Sequence, residues 1–296
     1  MSSSQNARIK TDSQLETLQR YTGVNMTQPA TSFEANGSTY ALLWSQEFDG
    51  PAGTLPDTTS TWNYDVGTGP DGWGNQEHEY YPDTNAQCDG EGNLVITAQR
   101  LATDDPIATA DPRVEFYSSR LNTRGKVEFQ YGRIETRIKM PVGDGTWPAF
   151  WMLGTRLGEI VWPDCGEIDI VEVGDIKNEL VASLHGPGYC GDKPLTNRVE
   201  VEDTLNSQFH TYAIEWLPGR VEWFFNDRSI SVKTSDDAAA VNSEWVFNQK
   251  YFLLMNLAMG GVFVPGGLDP ELNTAQLSVD YIRHYSIDGV GEVFLH

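Results

Sequence analysis

The stretch GEIDIVEVG, residues 166–174, sets three acids among aliphatic residues in what otherwise reads as a buried β-strand. Side chains on a regular strand alternate faces with a period of two, so Glu167 and Asp169 share one face. Glu172 lies an odd number of residues from both. An unbroken strand would turn its carboxylate in among the aliphatics, at a large desolvation cost. One extra residue at Ile170 or Val171, a β-bulge, resets the phase: all three acids then point one way, and Ile168, Ile170 and Val171 the other.

The same reading extends along the chain. Brief alternating or apolar runs, ALLWSQEF, NLVITAQR, KVEFQYGRIETRIKM, LVASLHG, FHTYAIEWL, RVEWFFND, KYFLLMNLA and QLSVDYIRHY, are separated by turn residues. Their spacing and their Val, Ile, Tyr, Phe and Trp content predict many antiparallel strands. No long stretch carries a helical stripe. The expected fold is therefore all-β, a sandwich of two stacked sheets. The segments GDGTWPAF, HGPGYCGDKP and GGVFVPGGLDPE are expected to be loops, and no internal repeat is evident. Residues 1–39, rich in Ser, Thr, Gln and Asn, read as a flexible leader, with a short helical stretch around SQLETLQRY and sequons at Asn25 and Asn36. Residues 40–296 read as one domain.

A formal charge of −22 argues against nucleic acid, anionic membrane surfaces and sulfated polysaccharides as partners, since these attract basic patches. A neutral substrate tolerates such a surface. Cys88, Cys165 and Cys190 leave at least one thiol unpaired and form no C-x-x-C metal pattern; a Cys165–Cys190 disulfide and a plain core-filling role are both open. No run approaches the ~20 apolar residues of a membrane span. The first residues, MSSSQNARIK, lack the apolar core of a secretory signal. They leave either an intracellular chain or a secreted one whose signal has been removed, and the latter is the expectation here.

At roughly 3.3 Å per residue the bulged strand separates the Glu167 and Glu172 backbones by about 13 Å, and side chains reaching inward bring their carboxyls to about 5 Å, the separation of a retaining glycosidase pair. Such an enzyme needs one ionised carboxylate to attack the anomeric carbon and one protonated carboxyl to donate to the leaving oxygen. Crowding like charges on one strand raises the pKa of at least one of them, and Asp169 is placed to hydrogen-bond Glu167. Nine Trp and twelve Tyr supply apolar faces for sugar rings, with Trp147, Trp151 and Trp162 near the acids and Trp73, Asn75 and Glu77 in GWGNQEHEYY.

The run GEIDIVE resembles the signature of glycoside hydrolase family 16 in its bulged form, E-x-D-x-x-E, as in laminarinase-like endo-β-1,3-glucanases. YGRIETRIKMPVGDGTWPAFWMLG, WPDCGEIDIVE, SLHGPGY, FHTYAIEW and MNLAMGG followed by VDYIRHY resemble the same subfamily, in its order, over roughly residues 41–286. The resemblance implies a β-jelly roll, concanavalin A-like, whose concave sheet forms an open cleft. It implies Glu167 as nucleophile, Asp169 as the assisting acid and Glu172 as general acid and then base. It implies sugar contacts from Asn75, Arg120, Trp147, Trp151 and His185, while a purely structural histidine is the alternative for His185. Many members hold one structural Ca2+ on the convex side, for which Glu47, the Gly92 carbonyl and Asp280 are the matching positions; no organic cofactor is implied. VEVGDIKNE lacks an aromatic common after the second Glu, and GGVFVPGG stands where a Trp-containing loop is more usual.

The expected activity is endo-hydrolysis of β-1,3-glucan by a monomer, with mixed-linkage β-1,3-1,4-glucan the nearest competing substrate and agarose a further neutral one. The extra residue in the motif disfavours the unbulged lichenases and xyloglucan transglycosylases. A non-catalytic β-glucan-binding module is the rival class. A pure binder has no need of two glutamates aimed together.

Overall fold

Strong strand formers separated by Gly, Pro and Asn turns become strands throughout the computed structural model, which describes residues 30–296. The helical stretch expected around SQLETLQRY and the sequon at Asn25 lie outside those residues. Residues 32–296 form one unit of twenty strands. The first ten are β1 (Ser32–Ala35), β2 (Ser38–Gln46), β3 (Asn63–Tyr64), β4 (Glu79–Tyr80), β5 (Ala86–Cys88), β6 (Leu94–Arg100), β7 (Phe116–Tyr117), β8 (Arg120–Asn122), β9 (Val127–Gln130) and β10 (Gly132–Lys139). The rest are β11 (Thr146–Gly154), β12 (Glu167–Glu172), β13 (Glu179–His185), β14 (Leu195–Glu200), β15 (His210–Leu217), β16 (Arg220–Phe225), β17 (Arg228–Thr234), β18 (Tyr251–Met259), β19 (Thr274–Ile287) and β20 (Glu292–Leu295).

They form the two sheets expected of a jelly roll. One runs β17-β16-β15-β10-β19-β6-β7-β4, with β1 and β2 joined at β19 and β5 at β6. The other runs β14-β13-β12-β11-β18-β8-β3, with β9 and β20 joined at β18. Pairing is antiparallel except between β4 and β7. Between the sheets Ile168, Ile170 and Val171 of β12, Phe150 and Met152 of β11, and Leu253, Met255 and Leu257 of β18 share one core with Ile134, Ile214, Trp216, Trp223 and Ile282 of the opposite sheet. Each such side chain contributes about 1.5–3 kcal/mol by leaving water.

Two expectations are corrected. Part of the stretch read as a leader to residue 39 belongs to the sheet: β1 pairs with β2 around Asn36 and Gly37, both at positive φ, and Phe33 stacks on Tyr40 with ring centroids 4.7 Å apart. Asn-Gly at a two-residue hairpin turn is the cause. The TWPAF part of GDGTWPAF is strand, not loop. β11 lies between β12 and β18, and burial on both faces erases the alternation that marks a half-exposed strand. Pro148 is tolerated there because its missing N–H falls where β12 ends, and its carbonyl still accepts from the Val173 N–H at 3.3 Å. Of the two readings open for the cysteines, core filling holds: all three are free, Cys88 and Cys165 are buried, and burial pushes the Cys165 thiol up to about 11.

Candidate active site

The phase problem posed by the acids is solved at Ile170. Against β11, Leu153 faces Glu167, Met152 faces Ile168 and Trp151 faces Asp169; Ile170 is then skipped, so that Phe150 faces Val171 and Ala149 faces Glu172. The register against β13 shifts at the same place, between Asp169 opposite Ser183 and Glu172 opposite Val181. Ile168, Ile170 and Val171 go to the core, and the three acids share the outer face of the nine-stranded sheet. The Asp169 carbonyl beside the bulge accepts from the Trp223 indole N–H at 2.8 Å, a buried donor supplied across the core by β16. The residue just before the strand is Gly166 because a Cβ there, at φ +79°, would lie 2.0 Å from the Tyr251 hydroxyl.

Each glutamate has an indole donor. Trp162 Nε1 donates to Glu167 Oε2 at 2.7 Å, and Trp147 Nε1 donates to Glu172 Oε1 at 2.9 Å. Asp169, 2% exposed, lies deepest. His185 Nε2 is 3.2 Å from Asp169 Oδ2, while Nδ1 accepts from the Gly191 N–H at 3.2 Å. The ring proton is therefore on Nε2, facing the aspartate. Glu167, Asp169 and His185 each bring a ligand-capable atom within 4.8 Å of the others.

Burial makes all three carboxyls hard to ionise. Glu172 is pushed up to about 7, chiefly by burial and further by the Glu167 charge, against the pull of the Trp147 N–H, His185 and Arg198. Glu167 is pushed up to about 8 by burial and by Asp169, against His185 and the Trp162 N–H. Asp169 is raised well above the ordinary carboxyl range by burial and the Glu172 charge. The hydrogen bond between Asp169 and Glu167 lowers Asp169 and raises Glu167, while burial raises both, so the two carboxyls share a proton that must leave Glu167 before it can attack. A protonated Glu172 beside an ionised Glu167 is the state in which one acid can donate while the other attacks.

The residues expected to contact sugar border this face. Trp147 and Trp151 both lie on β11, with Trp151 Nε1 donating to Asn256 Oδ1 at 2.8 Å. Arg120 of β8 is held by Asp65 at 3.0 Å, its guanidinium 4.5 Å from the Trp73 ring and 4.9 Å from Trp151. Asn75 sits in the turn Gly72–Gln76, donates to Glu77 Oε1 at 3.0 Å and accepts from the Val262 N–H at 2.9 Å. Glu77 in turn accepts from the Tyr81 hydroxyl, and Glu79 behind it is fully buried, so that burial and the Glu77 charge raise its carboxyl well above the ordinary range. Asn256 and the donor role of Trp162 were missed from sequence. The one signal for Asn256 is a lone amide inside the apolar run KYFLLMNLA.

Glu47 and Asp280, two positions matched to calcium, belong to the opposite sheet side. Arg283 grips Glu47 at 3.1 and 2.8 Å, and Arg137 pairs with Asp280. Calcium takes 6–8 oxygen ligands with free lone pairs. Two carboxylates already compensated by guanidinium groups do not fit it as they stand, and Gly92, at φ +90° after the Asp89 turn, adds no charge to the set.

Residues 75–283 match the sequence model of glycosyl hydrolases family 16. The chain is 40% identical over 259 residues to a beta-glucanase from Rhodothermus marinus, covering 83% of this chain and 85% of that protein. Among solved structures it is similar to the laminarinase catalytic domain of Thermotoga maritima, with TM-score 0.76, 38% identity, and 83% of this chain and 98% of that one covered. It is also similar to the endo-β-1,3-glucanase of Pyrococcus furiosus, with TM-score 0.79, 35% identity, and 88% and 99% covered.

Proposed function

Since this chain belongs to glycosyl hydrolases family 16, we propose that it is a retaining endo-hydrolase of β-1,3-glucan, of laminarinase type. The observation that carries the reading is the bulge at Ile170, which turns Glu167 and Glu172 to one face, each with an indole N–H on its carboxyl. Glu167, ionised, attacks the anomeric carbon while Glu172 gives its proton to the departing glycosidic oxygen. Glu172, now a carboxylate, then takes a proton from water, which displaces Glu167 and releases the sugar with its original configuration. Asp169, hydrogen-bonded to Glu167, is the neighbour that takes up the shared proton when the nucleophile ionises. The two carboxyls complete this chemistry without an organic cofactor.

Trp147, Trp151, Asn75, Arg120 and His185 are the side chains that bind the glucan in this reading. A neutral polymer suits a chain of charge −22 better than a sulfated one. A polymer too large to enter a cell implies action outside it, by a secreted monomer. The test is product analysis on laminarin, lichenan and agarose side by side, with Glu167→Gln as the control. Oligosaccharides from laminarin and none from the variant, which still binds the polymer, support the proposal. Release from agarose alone, or full turnover by the variant, overturns it.

A further inference from the structure

The connection from β18 to β19 carries Phe263, whose ring stacks on Trp147 with centroids 4.8 Å apart and planes 20° from parallel. The Arg198 guanidinium of β14 lies 5.4 Å from the same ring and is itself held by Glu179 Oε1 at 2.7 Å. Trp147 is the residue that donates to Glu172. A continuous line of contacts thus runs from the edge strand β14, through a loop residue, to β11 and the carboxyl on β12. The loop is tied on both sides of Phe263: the Val262 N–H bonds to the Asn75 carbonyl at 2.9 Å, and the Gly266 N–H to Asp175 Oδ2 at 2.8 Å. Gly174, just past β12, leaves the ring its room, since a Cβ there would lie 3.0 Å from the Phe263 edge.

We propose that Phe263 is a positioning residue for the acid/base: its stack on Trp147 holds the indole where the N–H reaches Glu172. The proposal rests on Glu172 having the acid/base role given above. An indole has a fixed donor direction, so tilting the ring moves the N–H off the carboxyl, and the stack is what resists tilting. The groups facing Glu172 are Glu167 and Asp169 on its own strand, His185 on β13, Arg198 on β14 and Trp147 on β11. Trp147 and Arg198 both favour its charged form, and both touch Phe263. Releasing the ring therefore weakens Glu172 as an acid and moves the loss of activity to higher pH.

The experiment is the pH dependence of kcat/KM on laminarin for Phe263→Ala, Phe263→Tyr, Trp147→Phe and the Trp147→Phe/Phe263→Ala pair. Phe263→Ala is expected to lower the plateau by roughly 2- to 12-fold, the value of one aromatic stack, and to shift the alkaline limb upward. Phe263→Tyr, which keeps the ring, is expected to restore both. Trp147→Phe is expected to shift the limb the same way, with the pair shifting it no further. An alkaline limb for Phe263→Ala superimposed on that of the parent, whatever the fall in rate, overturns the proposal; if Phe263→Ala does not fold, Phe263→Leu is read by the same criterion. Glu172→Gln is the separate control: undiminished laminarin hydrolysis there would instead remove the acid/base role on which the proposal stands.

Discussion

Replacing Glu167 with Gln should make the protein more stable as it makes it inactive, and only above mildly acidic pH. Burial and Asp169 raise the Glu167 carboxyl from 4.5 to about 8. A folded-state pKa above the unfolded one means that the native chain keeps a proton which the unfolded chain has lost, so stability falls as pH rises from about 4.5 to about 8 and is flat beyond. At about 1.4 kcal/mol for each tenfold change in acidity, the ceiling of this penalty is about 5 kcal/mol. Water reaching the half-buried carboxyl reduces it, and roughly 1–3 kcal/mol is the expected gain. Glutamine adds no charge and its carbonyl still accepts from Trp162. With about 2–4 °C per kcal/mol for a domain of this size, the variant should melt roughly 2–12 °C above the parent at pH 8 and level with it at pH 4.5. Differential scanning calorimetry at the two pH values decides. An equal difference at both, or a less stable variant at pH 8, would refute the assignment of Glu167 as a carboxyl charged against its surroundings.

Trp223→Phe strands the buried Asp169 carbonyl and leaves a small void, so it should cost roughly 2–4 kcal/mol in urea unfolding and lower kcat on laminarin more than it raises KM. On the parent, activity on laminarin should be bell-shaped around pH 7 to 8, because Glu167 must have lost its proton while Glu172 keeps the one it donates; a plateau extending beyond pH 9 would contradict this. Chelation with EDTA should leave Tm unchanged, because arginines rather than calcium compensate Glu47 and Asp280; a fall of several degrees would show that the carboxylates turn to a metal.

The two-sheet sandwich was legible because half-exposed strands alternate, and the bulge was legible because three acids in GEIDIVE cannot share a face without one. Which of Ile170 and Val171 is inserted was not, since both are aliphatic and both end in the core; only the register against Trp151 and Phe150 decides. The strand through Trp147 and Phe150 was hidden by burial on both faces and by a proline. Trp162 reaches Glu167 from the turn before β12, a contact that depends on the path of that turn and not on residue type. The pairing of Glu47 and Asp280 with arginines follows from the alignment of β2, β10 and β19, which no spacing within one strand discloses.

The stereochemistry of the first product formed tests the central claim most directly. Proton NMR of laminarin digestion, recorded before mutarotation, should show new reducing ends appearing as the β-anomer, because attack by one glutamate and then by water inverts the anomeric carbon twice. First appearance of the α-anomer would mean a single displacement, and Glu167 and Glu172 would not be the pair that the bulge at Ile170 brings to one face.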